Sequence, residues 1–552
     1  MMKMQNRSKT KTMNKPLHQK HRSIIAGGLT SSAGIFISKA IGILYVSPFQ
    51  TLATDANIAY YSYGYTLYDI ALQLTIAGIP VAIAVIIAKY YANDDIATVL
   101  LVRKIARMLL FIIGLLSMIF IVFFATPLAK VIVTENVSDQ TIAYTSNVLR
   151  LISVAMLITP VLGSYRSIFQ GLKYFDEYAT SQVLEQFVRV GFLLLLSYVL
   201  VGIIGLDPMW AVYMAILAAS IAGVAAIIHL HIKEKPIIEH LKQKEQITNN
   251  IAIPIKTIIK EIFLFSIPYM IISLLGRSTS FVNLLFFNRA MFMISEDADL
   301  IGLLYGMIMF STQKLISIPQ VLAIGFSAAV IPYISEALNT NNIKQLKKHI
   351  FDAIESVLYF SILLSAGLLF FATPIYYLFF QSNYELGGQV LMYAASGGML
   401  LAVAPVTSSI MIIVRLRKKI IVTLIIMFVV HLALIFPMIY LLGYAGAIYA
   451  SYIAHVLVIV ANLWILKKQF NLRYKGMIRR TMVLLLSMGV FYLSYQLSVF
   501  LQVDYYSNRL LTLLYIVIFG GLGTIMYVGV TWFFNIPQTI FNVTTLKSIF
   551  KR

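Results

Sequence analysis

Not one cysteine occurs in the 552 residues, which excludes disulfides, thiolate metal sites and cysteine nucleophiles together. Acidic residues are scarce as well: 22 Asp and Glu stand against 43 Lys and Arg, and charged residues make up only 12% of the chain. A soluble protein of this size carries far more charged surface. The eight histidines form no HExxH-type pair, and His229 and His231, two apart on a helix, point different ways. No GxxxxGK(S/T) stretch is present, so the chain itself holds no P-loop for ATP. Asp94 and Asp95 lack the further acid of a DDxxD diphosphate site. No metal and no cofactor is therefore expected.

What the sequence does hold is apolar length. Hydrophobic residues make up 60% of it, in runs that are each near the ~20 residues a spanning helix requires. This predicts an all-α polytopic membrane protein of about fourteen transmembrane helices. The spans fall at residues 24–53, 62–92, 103–125, 143–172, 178–203, 210–232 and 257–287. They continue at 299–332, 350–372, 387–415, 418–441, 444–467, 478–501 and 508–533. The first 23 residues hold seven Lys or Arg and no acid. The apolar run behind them is too long for a signal-peptide core and lacks a small-residue cleavage site, so 1–23 read as a basic cytoplasmic tail.

The net charge of +21 is distributed by connection. Alternate connections carry Arg103, Lys104 and Arg107, six lysines from Lys233 to Lys260, then Lys344, Lys347 and Lys348. The same side takes Arg415 to Lys419, Lys467 to Arg480, and Lys547, Lys551 and Arg552. The intervening connections hold only Lys130, Arg289 and Arg509. This is the positive-inside pattern, which places both termini in the cytoplasm. The charge thus reads as topology and as attraction to anionic lipid headgroups, with no nucleic acid as partner.

An internal repeat sets the architecture. AGIPVAIAVIIAKYYAN in the second span matches ISIPQVLAIGFSAAVIPYISEA in the eighth, and ITPVLGSYRSIF in the fourth matches VAPVTSSIMIIVRL in the tenth. Pro80 pairs with Pro319 and Pro160 with Pro405 at nearly equal offsets. Prolines also kink membrane helices without any repeat, but two matches at nearly the same offset favour the repeat. Six spans separate each pair, so the units share one orientation and build two six-helix lobes around a central cavity. The expected division is an N-lobe at 24–232, a cytoplasmic linker at 233–256 and a C-lobe at 257–467. Two extra C-terminal helices follow at 478–533, then a cytoplasmic tail at 534–552.

Lys39, Arg189, Arg277 and Lys314 are basic residues well within the apolar runs, Arg150 is nearer an end, and Asp69 and Glu185 are the acids. Lys39 is about 22 Å along its helix, too deep to snorkel comfortably. An unpaired charge there costs from roughly 2.5 to over 10 kcal/mol, unless it faces water, a partner or a ligand. It borders a small-residue stripe of Gly27, Ser31, Gly34, Ser38, Gly42 and Tyr45. Glu185 and Arg189, four apart, read as an ion pair, and Arg150 can snorkel. Asp69 either neutralises one of the lysines, Lys39 included, or takes a proton. Lys39, Arg277 and Lys314 have no local partner, and their convergence from two lobes would bind an anion. Phosphate or diphosphate is the expected one, with each lysine acting as a point charge.

The stretches ISKAIGILYVSPF, YGYTLYDIALQLTIAGIPVAIA, YRSIFQGLKYFDEYATSQVLEQFVRV and LISIPQVLAIGFSAAVIPYIS together resemble the MurJ-type flippases of the MOP superfamily. The likeness lies in the Gram-positive branch of YtgP or polysaccharide biosynthesis proteins and covers nearly the whole chain. It implies a transporter, not an enzyme, that moves lipid II, the undecaprenyl-diphosphate-linked peptidoglycan precursor, across the plasma membrane of a Gram-positive bacterium. It further implies alternating access of two lobes around a cationic cavity, and a groove for the polyprenyl tail at 478–533. Lys39 falls on the family's basic residue in the first helix, between Ser38 and Gly42, and Lys314 on the one five positions before Pro319. Two positions depart: a second arginine of the first helix falls on Tyr45, and a basic residue of the second falls near Leu72 and Gln73. Arg277 is the replacement cation.

Other readings compete. A different lipid-linked oligosaccharide, such as a capsule, teichoic-acid or exopolysaccharide repeat unit, fits the same chemistry. A drug or cation antiporter usually has twelve spans and acid-dominated sites, whereas intramembrane bases here outnumber acids. A membrane glycosyltransferase needs outward carboxylates, and the cluster Glu296, Asp297 and Asp299 reads as a solvated loop. A monomer among membrane lipids is expected, driven by an ion gradient or by a membrane potential worth about 2.3 kcal/mol per charge per 100 mV.

Overall fold

A long apolar segment in lipid must satisfy its backbone N–H and C=O groups internally, and the α-helix does so within one segment. The computed structural model describes residues 41–42, 45–76, 78–133, 137–248 and 253–541, and among these every regular element is helical. The N-terminal half contains α1 (Val46–Ala53), α2 (Asp55–Ile76), α3 (Ile79–Ala92) and α4 (Ile96–Val133), then α5 (Asp139–Gly171), α6 (Phe175–Ser197) and α7 (Met209–Thr248). Next come α8 (Ile255–Gly276), α9 (Ser278–Met291), α10 (Ala298–Gly306), α11 (Thr312–Asn339) and α12 (Ile343–Phe370). They are followed by α13 (Ala372–Phe379), α14 (Tyr384–Ser396), α15 (Gly398–Ile413), α16 (Arg417–Leu442) and α17 (Ala445–Phe470). The chain closes with α18 (Lys475–Ser487), α19 (Gly489–Phe500), α20 (Arg509–Tyr515), α21 (Gly521–Phe533) and α22 (Ile536–Phe541).

Among the described residues, twelve helical runs are long and apolar enough to cross a bilayer. They correspond to the third through fourteenth expected spans. The second expected span is broken into α2 and α3 around Gly78, where Pro80 sits in the first turn of α3. Much of the first lies outside the described residues, and α1 is its end. The sequence count of fourteen therefore meets twelve long spans and one broken one. The stretch 233–256, expected as a linker, is helical as far as Thr248. Lys233 bonds Glu177 at 3.2 Å and Glu234 bonds Arg103 at 2.7 Å, which fastens this extension to α6 and α4.

Caps and turns end the helices where the pattern changes. Ser138 accepts from the Thr141 N–H at 3.2 Å, Asp297 from Leu300 at 2.9 Å and Asn508 from Leu510 at 2.9 Å, each satisfying a free donor of a helix start. The α16–α17 turn uses Gly443 at φ +61°, a conformation that L side chains rarely adopt. Beyond it, a Cβ on Gly446 would lie 2.0 Å from the Met438 carbonyl oxygen.

Neighbour relations repeat between the halves. In the first, α4 packs along α5 and α6 along α7, while α5 also touches α2, α3 and α7. Six spans later α12 packs on α14 and α15, α16 packs along α17, and α15 touches α11 and α17. This is the pattern a parallel repeat requires. The last two spans lean on α12 and α13: Arg480 pairs with Glu355, the Tyr359 hydroxyl meets Thr531 at 3.2 Å, and Tyr377 donates to the Tyr506 carbonyl at 2.7 Å.

The buried core shows how the halves meet. At the end away from the basic connections, one continuous cluster holds Tyr45, Phe49 and Tyr61 together with Phe287, Tyr305 and Phe310. At the basic end the clusters divide. Ile83, Ile105 and Ile168 pack with Ile258 and Ile262 of α8, whereas Ile350, Ile354 and Ile420 pack with Phe491 and Tyr527 of the last spans. Large apolar side chains such as Phe123, Leu486 and Phe533 face outward, as lipid contact demands. The molecule is a multi-pass membrane protein.

Candidate functional site

Two helix breaks lie on touching spans, each opposite an unbroken stretch of the other. The second span breaks beside Gly78, and the seventh breaks at Arg277, which ends α8 and precedes α9. A Cβ on Gly78 would meet Met270 Cγ at 2.1 Å and the Ser266 carbonyl oxygen at 3.1 Å, so glycine permits the two spans to touch here. Arg277 Nε lies 3.3 Å from Asp69 Oδ2, with side chains 45% and 27% exposed. The pair joins α2 of the first half to the α8–α9 joint of the second. Arg277 is thus not the unpartnered cation expected from its own helix. Its acid stands on another span, where no spacing rule along one helix can reveal it.

Lys314 lies on α11 just past a π-helical turn at Met307–Ser311, a feature often found at functional sites. Its Nζ stands 5.5 Å from the Tyr65 ring centroid, 5.6 Å from Phe310 and 5.7 Å from Tyr45. Among the described residues no carboxylate pairs with it. Tyr45, the position of an absent arginine, therefore presents a π face and a hydroxyl to this ammonium group. Lys39 lies outside the described residues.

Glu185 and Arg189 bond at 2.5 Å, and Arg166 of α5 reaches the other Glu185 oxygen at 2.9 Å while its Nε donates to Ser181 at 3.1 Å. Two guanidinium groups thus share one carboxylate, leaving one positive charge in excess. Arg189 is close enough to act electrostatically on Lys314, Tyr45, Tyr65 and Tyr68. Sequence spacing misses Arg166, since it sits near the end of its span and reads as a connection residue. Its stretch YRSIF is one that carries the family resemblance. Lys314, Arg166 and Arg189 outweigh Glu185, while Asp69 and Arg277 balance, so these side chains sum to a positive excess.

The end away from the basic connections is held shut by uncharged donors. Ser311 donates to Gln50 at 2.8 Å, Gln50 to Asp55 at 2.6 Å, and Asn383 to the other Asp55 oxygen at 3.0 Å. Asn288 donates to the Tyr63 hydroxyl at 2.8 Å and to the Ile132 carbonyl at 3.0 Å, and Tyr63 stacks on Tyr305 at 4.4 Å. Every one of these links crosses between the halves or fastens a residue that does. At the basic end, Glu261 of α8 receives Lys89 at 2.6 Å and Tyr90 at 2.8 Å.

Comparison with known proteins places this arrangement. Residues 24–338 match the family described as polysaccharide biosynthesis protein. The chain is 26% identical over 520 residues to the lipid II flippase MurJ of Bacillus subtilis (strain 168), covering 91% of this chain and 94% of that protein. Among solved structures, lipid II flippase MurJ in an inward closed conformation superposes with a TM-score of 0.64 at 16% identity, over 92% of this chain and 98% of that one. An inward-facing multidrug resistance MATE family transporter of the MOP superfamily gives 0.60 at 16% identity, over 81% and 95%. Both share the overall fold of this chain. Since the family match takes in more than half of its residues, this chain belongs to the polysaccharide biosynthesis protein family.

Proposed function

We propose that the protein flips lipid II, the undecaprenyl-diphosphate-linked peptidoglycan precursor, across the cytoplasmic membrane by alternating access. The observation that carries this reading is the excess of positive charge within the spans, where among the described residues Lys314 lacks a carboxylate and Arg166 and Arg189 share one. A diphosphate supplies the missing negative charge, and the similarity to a lipid II flippase over most of both chains supports the cargo. Lys39, Arg277 and Lys314 hold the diphosphate. Arg277 first has to exchange Asp69 for the cargo, which couples cargo arrival to release of a link between the lobes.

The lobes are residues 24–232 and 257–467, and the polyprenyl tail lies along the spans of 478–533 while the headgroup crosses. With both termini in the cytoplasm, the end joined through Gln50, Ser311, Asp55 and Asn383 faces outward. The protein acts as a monomer, and a membrane potential or ion gradient drives it. A second reading, export of another lipid-linked oligosaccharide, is favoured by Tyr45 in place of a cation, since the sugar-side contacts then differ. Complementation of a strain stripped of its lipid II flippases decides between them. Restored growth is the expected result. Failure to grow, with export of a capsule or teichoic-type polymer restored instead, would transfer the function to the second reading.

A further inference from the structure

A second cationic feature lies away from the central site, at the basic end between α4, α5 and α7. It is a groove of about 640 Å³ whose polar wall carries Arg103, Lys104, Arg107 and Lys242, with Glu245 beside them. Its other wall is Met108, Phe111 and Val161, and Met108 and Phe111 are 58% and 46% exposed. The groove therefore has charge at one edge and an apolar strip running from it along the outward face of α4. That face continues through the exposed Ile112, Leu116 and Phe120.

The two arginines are held in place from behind. Glu234, buried at 2% side-chain exposure, receives Arg103 at 2.7 Å and Arg107 at 2.8 Å, and Arg107 also stacks on Tyr165 with 4.0 Å between its guanidinium carbon and the ring centroid. Lys104 and Lys242 are exposed, and among the described residues no carboxylate pairs with either. Four cations thus face two carboxylates, Glu234 and Glu245. The excess lies on the two lysines at the mouth.

We propose that this groove binds one anionic phospholipid of the adjoining leaflet, its phosphate at Lys104 and Lys242 and an acyl chain along Met108 and Phe111. Charge complementarity selects an anionic headgroup, and the apolar strip selects a lipid over a free anion. Basic pockets between membrane helices at the cytoplasmic interface bind such headgroups. The bound lipid would fasten the α4–α7 corner to one leaflet while the halves move, a role independent of which cargo crosses.

The test is native mass spectrometry of the full chain, titrated with phosphatidylglycerol or phosphatidylcholine. The wild type should retain one phosphatidylglycerol more tightly than phosphatidylcholine. Lys104→Ala with Lys242→Ala should weaken that lipid about thirtyfold, since each near-surface lysine contributes about a factor of five on an anionic membrane. Lys344→Ala with Lys348→Ala, a basic pair elsewhere on the same end, should leave it unchanged. Both pairs are exposed, so an unchanged unfolding temperature verifies the fold. Equal weakening by the two double variants would reduce the effect to general surface charge and overturn the site. Displacement of the lipid by excess inorganic phosphate, or by equimolar undecaprenyl diphosphate, would also overturn it, assigning the groove to free anions or to cargo.

Discussion

An ammonium group set between three aromatic rings, as Lys314 is, gains up to about 2 kcal/mol from each favourable π face when desolvated. Removing a charge from water costs several kcal/mol, so rings alone leave room for an anion to stabilise the site further. Lys314→Ala should abolish transport in the complementation assay while the protein still inserts and elutes as one folded species. Lys314→Arg should keep partial activity, because the charge survives and the donor geometry changes. Full activity in the alanine variant would remove Lys314 from the site. Glu185 makes a different case. Neutralising it leaves Arg166 and Arg189 facing each other, and breaking a buried ion pair from one side costs about 3–5 kcal/mol. Glu185→Gln should thus lower the unfolding midpoint in detergent by several degrees, and adding Arg166→Gln should recover part of the loss. An unchanged midpoint in the single variant would mean that water already screens the two arginines.

At the scale of elements, the breaks beside Gly78 and at Arg277 matter more than the helices they interrupt. Gly78 lets Met270 and Ser266 of α8 come into contact with the second span, and a methyl group there forces the spans apart. Gly78→Ala should slow transport, and Met270→Ala in the same chain should restore much of it by vacating the space. The assay is the rate of cargo appearance on the far side of reconstituted vesicles, and a defect insensitive to Met270→Ala would point to backbone rather than packing. The existence of the spans is legible in the sequence because an apolar run in lipid has one backbone solution. The four prolines that reveal the repeat are legible because each pair recurs at a nearly equal offset. The break is legible only in retrospect, from Gly78 two residues before Pro80. The Asp69–Arg277 link and the place of Arg166 are not legible at all, since each depends on which spans become neighbours.

For the whole molecule, the contacts at the end away from the basic connections join the halves through Gln50, Ser311, Asp55 and Asn383. The neutral Ser311–Gln50 bond contributes about 0.5–1.5 kcal/mol net and the Asn383 bond to the Asp55 carboxylate about 1.5–3, so a closure of a few such links can open and re-form. The absence of native cysteine makes that motion directly testable. Gln50→Cys with Ser311→Cys, joined by a short membrane-impermeant bifunctional thiol reagent added outside intact cells, should arrest growth that depends on this protein. Growth that continues despite complete crosslinking, or labelling only from the cytoplasmic side, would contradict the motion or the orientation.

The sixth span reaches well past the bilayer: α7 has 40 residues, or about 60 Å, against a hydrocarbon core of about 30 Å. It ends at Thr248, and α8 begins at Ile255. The covalent tether between the halves is therefore six residues, 249–254, with a fully stretched reach of at most about 25 Å. However widely the halves swing, those two helix ends can part no further than this leash allows, so the aperture on that side has a mechanical upper bound written in chain length.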